Sequence, residues 1–142
     1  MHNTIPCIAK YGVFQGMGMD NHDTQEKWQV QLRKGALELV ILAALREQPV
    51  YGLALLRHLQ RFPTTAITEG TLYPLLDRLK REGLVDARWV QEGDSRPRKY
   101  YQLTDQGEHK LTALVQAWQQ SVADINALLA APASAAPSTQ GS

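Results

Sequence analysis

The side chains that could carry chemistry in this sequence do not form a catalytic or metal-binding set. There are four histidines, His2, His22, His58 and His109. They lie far apart without metal-ligand spacing, and no carboxylate pair or nucleophile motif accompanies them. The single cysteine, Cys7, has no second thiol for a disulfide or a zinc site. We therefore expect no enzyme activity, no metal and no cofactor.

Positive charge is concentrated in the middle of the chain. The formal net charge is only +1, but residues 27–103 hold 13 Lys and Arg against 8 Asp and Glu, a net of +5. Residues 1–26 and 104–142 each have a net charge of −2. Because attraction to nucleic acid depends on the local charge, this distribution indicates a central DNA-contacting module.

Three helices are predicted inside the basic segment. Residues 32–45 are apolar around most of a helix circumference. A second helix runs from about Tyr51 to before Pro63. Thr68 can cap a third helix, which ends at Gly83. Three helices with short connections are typical of a helix-turn-helix.

One face of the third helix has the character of a DNA-reading surface. Opposite its leucines, the 100° turn per residue places Gly70, Thr71, Pro74, Asp77, Arg78 and Arg81, with Tyr73 at the border. Small residues at the helix start allow close approach to a major groove, and arginines further along neutralise phosphates. The alternative is a solvated face, for which Gly70 and Pro74 are poor choices.

A β-hairpin is predicted directly after this helix. Residues 84–90 and 99–103 have strand character, and the sequence EGDSRP separates them. The basic residues of its tip and return strand are Arg96, Arg98 and Lys99. In this position the hairpin fits a wing that meets phosphates beside a minor groove.

A long C-terminal helix is predicted from the cap at Thr104. Its apolar positions repeat in heptads, interrupted by Ser121: Leu111, Leu114, Val115, Trp118, Val122, Ile125, Leu128 and Leu129. Such a stripe is larger than a compact winged domain needs, so it predicts a homodimer formed through this helix. The alternative is a helix that folds back on its own domain.

Trp118 has two interpretations. It packs the middle of the dimer seam, or it offers a flat surface to a small aromatic effector. Trp28 and Trp89 are predicted to be packing residues.

Three segments resemble the PadR family of regulators. They are GTLYPLLDRLKREGLV at residues 70–85, the pair Tyr51-Gly52, and RPRKYYQLTDQG at residues 96–107. The resemblance implies a winged helix-turn-helix, usually a repressor, with Tyr51 and Gly52 added to the DNA-binding residues. It also implies a subgroup with one long C-terminal helix. The position of Trp118 resembles that of a tryptophan in multidrug-binding members of the family. Ser95 stands where the family commonly has glycine, which predicts a stiffer wing turn.

The predicted protein is mainly α with a small β-hairpin: a winged helix-turn-helix plus a long C-terminal dimerisation helix. Four segments are expected: a flexible extension at residues 1–27, the DNA-binding domain at 28–103, the dimerisation helix at 104–130 and a disordered tail at 131–142. Met17 and Met19 offer alternative translation starts. No membrane span or signal peptide is recognised, so a cytoplasmic regulator of duplex DNA is expected. A winged helix used only for protein or RNA contacts is the alternative.

Overall fold

A computed structural model describes residues 19–131. Its elements are α1 Met19–Ala44, β1 Val50–Tyr51, α2 Gly52–Gln60, α3 Glu69–Arg81, β2 Val85–Val90, β3 Arg98–Leu103 and α4 Asp105–Ala130. The strands form one antiparallel sheet in the order β1-β3-β2. The predicted, mainly helical winged fold is confirmed. The sequence analysis missed β1, because two residues are too short a segment to show a strand pattern, and it placed Tyr51 in the following helix.

Helix α1 begins earlier than predicted. Residues 19–27 are helical, so the expectation of a flexible extension is wrong for this stretch. Between Met19 and Lys34 the chain contains neither proline nor glycine, and most of its residues are compatible with a helix. An ion pair of 3.4 Å between Lys27 and Asp23, one turn apart, adds local support. Residues 1–18 and 132–142, and the predictions made for them, lie outside the described residues.

Residues 28–115 form one compact unit, and the described residues outside it, 19–27 and 116–131, belong to a second unit. The core of the first unit contains apolar side chains from all four helices, β2 and β3: Leu37, Ile41, Leu42, Leu45, Leu55, Leu56, Leu59, Ile67, Leu72, Leu76, Leu79, Leu84, Val85, Tyr101 and Leu111. No polar side chain is buried among the described residues. Apolar burial is therefore the dominant stabilising term of this unit.

The end of α3 and the start of α4 are in contact in space, through two glycines and a threonine. Gly83 has φ +81°, and the Leu84 amide after it donates to the Leu79 carbonyl at 3.0 Å, which closes the helix end as predicted. The Thr104 hydroxyl donates to the Gly83 carbonyl at 2.6 Å and accepts from the Gly107 amide at 2.9 Å. Thr104 is thus a true N-cap, and it also anchors α4 to the end of α3.

Gly107 generates the first testable prediction. A Cβ atom at this position would overlap the Leu84 carbonyl oxygen, which is backbone that cannot move aside. We expect Gly107→Ala to lower the free energy of unfolding by about 2–3 kcal/mol, as overpacking does. Urea denaturation measures this effect. Gly35→Ala is the matched control, because nothing lies within 4 Å of its added Cβ, so this helical position should be stabilised or unchanged. Equal stability of the two variants would contradict the prediction.

Candidate nucleic-acid interface

The rotation of α3 about its axis is set by three leucines. Leu72, Leu76 and Leu79 have no exposed surface. The arc opposite them consists of exposed residues without large aliphatic side chains: Gly70, Pro74, Asp77 and Arg81. The predicted outward face is therefore present, and Arg81 lies nearer its centre than Thr71 or Arg78 does.

Pro74 lies inside α3 without ending it. Because proline has no N–H, the Gly70 carbonyl loses the donor that normally bonds to it four residues later. Gly70 and Pro74 are both exposed on the outward arc. The helix therefore presents a shallow surface there, where one regular intrahelical hydrogen bond is missing.

Thr71 lies on the flank of α3 that faces α1. It lines a cavity of about 360 Å³ whose wall on α1 includes Arg33 and Leu37. Thr68 occupies the N-cap position as predicted, but its hydroxyl makes no bond to a backbone amide. Instead it lies 3.4 Å from the Thr71 hydroxyl. Two hydroxyl groups are thus placed side by side at the start of α3.

Tyr73 lies on the opposite flank, over Gly52. A Cβ at Gly52 would come within 3.1 Å of the Tyr73 ring and 3.3 Å of the Tyr101 ring, so the absence of a side chain permits this packing. Burial, and then Glu69, raises the pKa of Tyr73, while burial, and then Asp77, raises the pKa of Tyr101. Both phenols are therefore neutral hydrogen-bonding groups at physiological pH. Gly52 itself is buried and has a packing role.

Arg78 is placed differently from the sequence prediction. Its Nη2 atom lies 3.1 Å from Glu38 of α1, and its Nε atom lies 3.5 Å from Glu82. Lys110 of α4 approaches the other oxygen of Glu38 at 3.8 Å. The guanidinium that was expected to face phosphate is therefore directed toward α1. The 100° periodicity alone could not reveal a partner 40 residues away in sequence.

Aromatic rings contact two of the three basic residues of the wing. The Arg98 guanidinium lies 5.0 Å from the centre of the Tyr51 ring, which is itself 6.0 Å from the Tyr100 ring. The Lys99 ammonium lies 5.8 Å from Trp89. Cation–π contacts of this kind restrict long side chains without neutralising their charge. Tyr51, predicted from the family resemblance alone, thus has a physical role as a support for Arg98.

The turn between β2 and β3 is closed by Ser95. Its hydroxyl donates to the Glu92 carbonyl at 2.6 Å, and Gln91 Nε2 donates to the Ser95 carbonyl at 3.0 Å. Gly93 supplies the positive φ, +62°, that the turn requires. These bonds are consistent with the stiff turn predicted from Ser95, and the exposed Arg96 follows it.

Two tryptophans are not the packing residues that we predicted. In the single chain Trp89 is 67% exposed and Trp28 is 59% exposed. Trp89 lies on the same face of the hairpin as Ala87 and Tyr101, but beyond the point where helices cover the sheet. A pattern within one strand does not show how far neighbouring helices extend over it. Trp89 is therefore a wing residue that the sequence analysis missed.

The apolar stripe of α4 divides into a buried and an exposed part. Leu111 is buried in the core of residues 28–115, so its prediction as a free seam residue is wrong, and Leu114 and Val115 are half-buried beside that core. Beyond them Val122 is half-buried, and the other seam residues are exposed: Trp118 45%, Ile125 54% and Leu128 77%. The stripe is thus available to a partner from Trp118 onward.

Among residues 19–131, no helix has an apolar stretch long enough to cross a membrane. The same residues contain no group of three His, Cys, Asp or Glu arranged to hold a metal ion.

Comparison with known proteins gives a consistent match. The profile of the family described as "Transcriptional regulator PadR-like family" matches residues 41–113. A PadR family transcriptional regulator from Eggerthella lenta is 37% identical, with TM-score 0.69, over 79% of this chain and 97% of that one. A PadR-like transcriptional regulator from Bacillus cereus is 34% identical, with TM-score 0.66, over 72% of this chain and 99% of that one.

A third structure contains nucleic acid. Bacillus subtilis PadR, crystallised in complex with operator DNA, is 26% identical with TM-score 0.50. The match covers 56% of this chain and 46% of that protein.

Proposed function

Because the chain belongs to the PadR-like family of transcriptional regulators, we propose that it represses transcription by binding operator DNA through α3 and the wing. The observation that carries this proposal is the exposed arc of α3 from Gly70 to Arg81, together with a wing on which aromatic rings restrain Arg98 and Lys99. The operator complex of Bacillus subtilis PadR supports it. As a member of a family of regulators, the chain acts by binding rather than by catalysis.

The roles of the contact residues follow from their chemistry. Gly70, Pro74, Thr71 and Tyr73 lie at or beside the arc that would enter a major groove, so we assign them to base edges and nearby sugars. We assign the wing cations to phosphates: Arg96, Arg98 and Lys99. Tyr51 and Gly52 act indirectly, since they support Arg98 and Tyr73.

We further propose a homodimer on a palindromic operator in the cytoplasm. A single α3 contacts only a few base pairs, and two copies related by a two-fold axis would read two half-sites. The exposed part of the α4 stripe, from Trp118 to Leu128, supports this assembly because a patch of that kind usually marks a partner surface.

The rival function is a winged helix that contacts only protein or RNA. The wing cations favour DNA because β2 of the wing packs against α3, so that one module carries both a groove-sized helix surface and cations for phosphates. A duplex from the protein's own promoter, bound more tightly than a shuffled duplex of equal length, would distinguish the two. Equal binding of both duplexes, or none of either, would overturn operator recognition.

Replacing Arg98 tests the wing. We expect Arg98→Ala to weaken binding to every duplex and to reduce the slope of log affinity against log salt by about one unit, because one phosphate contact is lost. Fluorescence anisotropy at several salt concentrations measures both quantities. Arg46→Ala is the control, since this exposed arginine lies in the turn after α1 and not in the hairpin. An unchanged slope in Arg98→Ala would remove the wing from the interface.

Replacing Ile125 tests the dimer. In a dimer seam, Ile125→Asp would bury unpaired carboxylates at a cost of several kcal/mol per ion, so we expect monomers. Sedimentation velocity measures the assembly state. Asn126→Asp adds the same charge on the next residue, outside the apolar stripe, and should leave the dimer intact. If Ile125→Asp sediments as an unchanged dimer, the two copies meet elsewhere.

We also propose that a planar, apolar small molecule binds at Trp118 and releases the operator. A ligand between two copies of Trp118 would favour one spacing of the recognition helices over another, and only such differential affinity shifts the population. A variant with Trp28→Phe and Trp89→Phe keeps one reporter tryptophan. Titration with flat aromatic compounds should quench its fluorescence and weaken operator binding together. Absence of quenching, or quenching that leaves operator affinity unchanged, would reduce Trp118 to a packing residue.

A further inference from the structure

Three helices of the first compact unit meet at one carboxylate. Glu38 of α1 faces Arg78 of α3 through Oε1 at 3.1 Å and Lys110 of α4 through Oε2 at 3.8 Å. The Oε2 atom is buried and makes no hydrogen bond within the described residues. Glu38 therefore sits at the junction of the recognition helix and the C-terminal helix, and most of its surface is shielded from water.

The charges at this junction cancel. Arg78 faces Glu38 and Glu82, while Lys110 shares Glu38, so two cations are matched by two carboxylates. Both the Nη2 and the Nε atoms of the Arg78 guanidinium are engaged. Arg78 consequently contributes little net positive potential toward DNA, although it is next to the exposed arc of α3.

Arg78 nevertheless lies within reach of that arc. Pro74 and Arg81 are both exposed at the centre of the arc. They lie four residues before and three residues after Arg78, so they are its neighbours on the helix surface. The Arg78 side chain is itself 45% exposed. A long arginine side chain at this position could turn toward a phosphate if its carboxylate partner lost its charge.

We propose that Glu38 is a positioning residue that holds Arg78 against α1 and keeps it off the DNA backbone. Arg78 is then a structural contact between α3 and α1 in the bound protein as in the free one, and the phosphate contacts come from the wing. This inference rests on the proposed DNA binding. It adds to that proposal the prediction that a carboxylate outside the interface limits the number of phosphates that the protein engages.

Glu38→Gln tests the inference, because glutamine keeps the size of the side chain and removes its charge. We expect binding to duplex DNA at low salt to become severalfold tighter, and the log–log salt slope to steepen by about one unit, as Arg78 gains a phosphate. Arg78→Gln in the wild-type background should leave the slope unchanged. The double variant with both changes should return to the wild-type slope. Thermal unfolding by circular dichroism checks that each variant is folded.

Glu47→Gln is the charge-matched control. Glu47 is exposed in the turn after α1, and its replacement removes the same charge without touching Arg78. If Glu47→Gln steepens the slope as much as Glu38→Gln does, the effect is general charge and the inference fails. It also fails if Glu38→Gln leaves the slope unchanged, if its steeper slope persists without Arg78, or if Arg78→Gln alone flattens the slope. If the wild-type chain binds no duplex, the proposed function fails instead.

Discussion

The burial of one leucine stripe determines where every other side chain of α3 points. Fully burying a leucine contributes about 1.5–3 kcal/mol, whereas an exposed ion pair contributes about 0–1 kcal/mol. Leu72, Leu76 and Leu79, all fully buried, therefore set the rotation of the helix, and the ion pair of Arg78 follows from it. Gly70 and Pro74 can face outward without aliphatic contacts because the opposite side alone holds the helix in place.

The wing depends on close backbone approaches as well as on the leucines. Gly52 lets Tyr73 and Tyr101 pack over the start of α2, which ties α3 to the sheet. Gly107 lets α4 lie directly on the Leu84 carbonyl, immediately before β2. The Gly107 contact is with backbone and leaves no room for a Cβ, whereas the Gly52 contact is a tight one with two tyrosine rings, so both restrict the distance from recognition helix to wing. Such a distance must be constant if a groove and its flanking phosphates are to be contacted together.

Periodicity was sufficient to predict α2, α3, the hairpin and α4, because each buries one face and so carries a regular apolar pattern. The first turns of α1 lack such a face, so they carry no apolar periodicity from which a helix could be predicted. Patterns within one element also could not reveal contacts between elements. The partner of Arg78 is on α1, and Leu111 belongs to the core although it continues the heptad stripe. The exposure of Trp89 likewise depends on where neighbouring helices end.

The net charge of residues 27–103 does not show which of its cations are paired with carboxylates. Lys27 is paired with Asp23, and Arg78 with two carboxylates. By contrast, no carboxylate of the described residues lies within ion-pair distance of Arg98 or Lys99, and both contact neutral rings: Arg98 lies on Tyr51, and Lys99 on Trp89 and Tyr101. A ring restrains a cation but leaves its charge intact. Arg98 and Lys99 can thus meet phosphates at short range, while α3, with its nearly neutral arc, should discriminate between sequences.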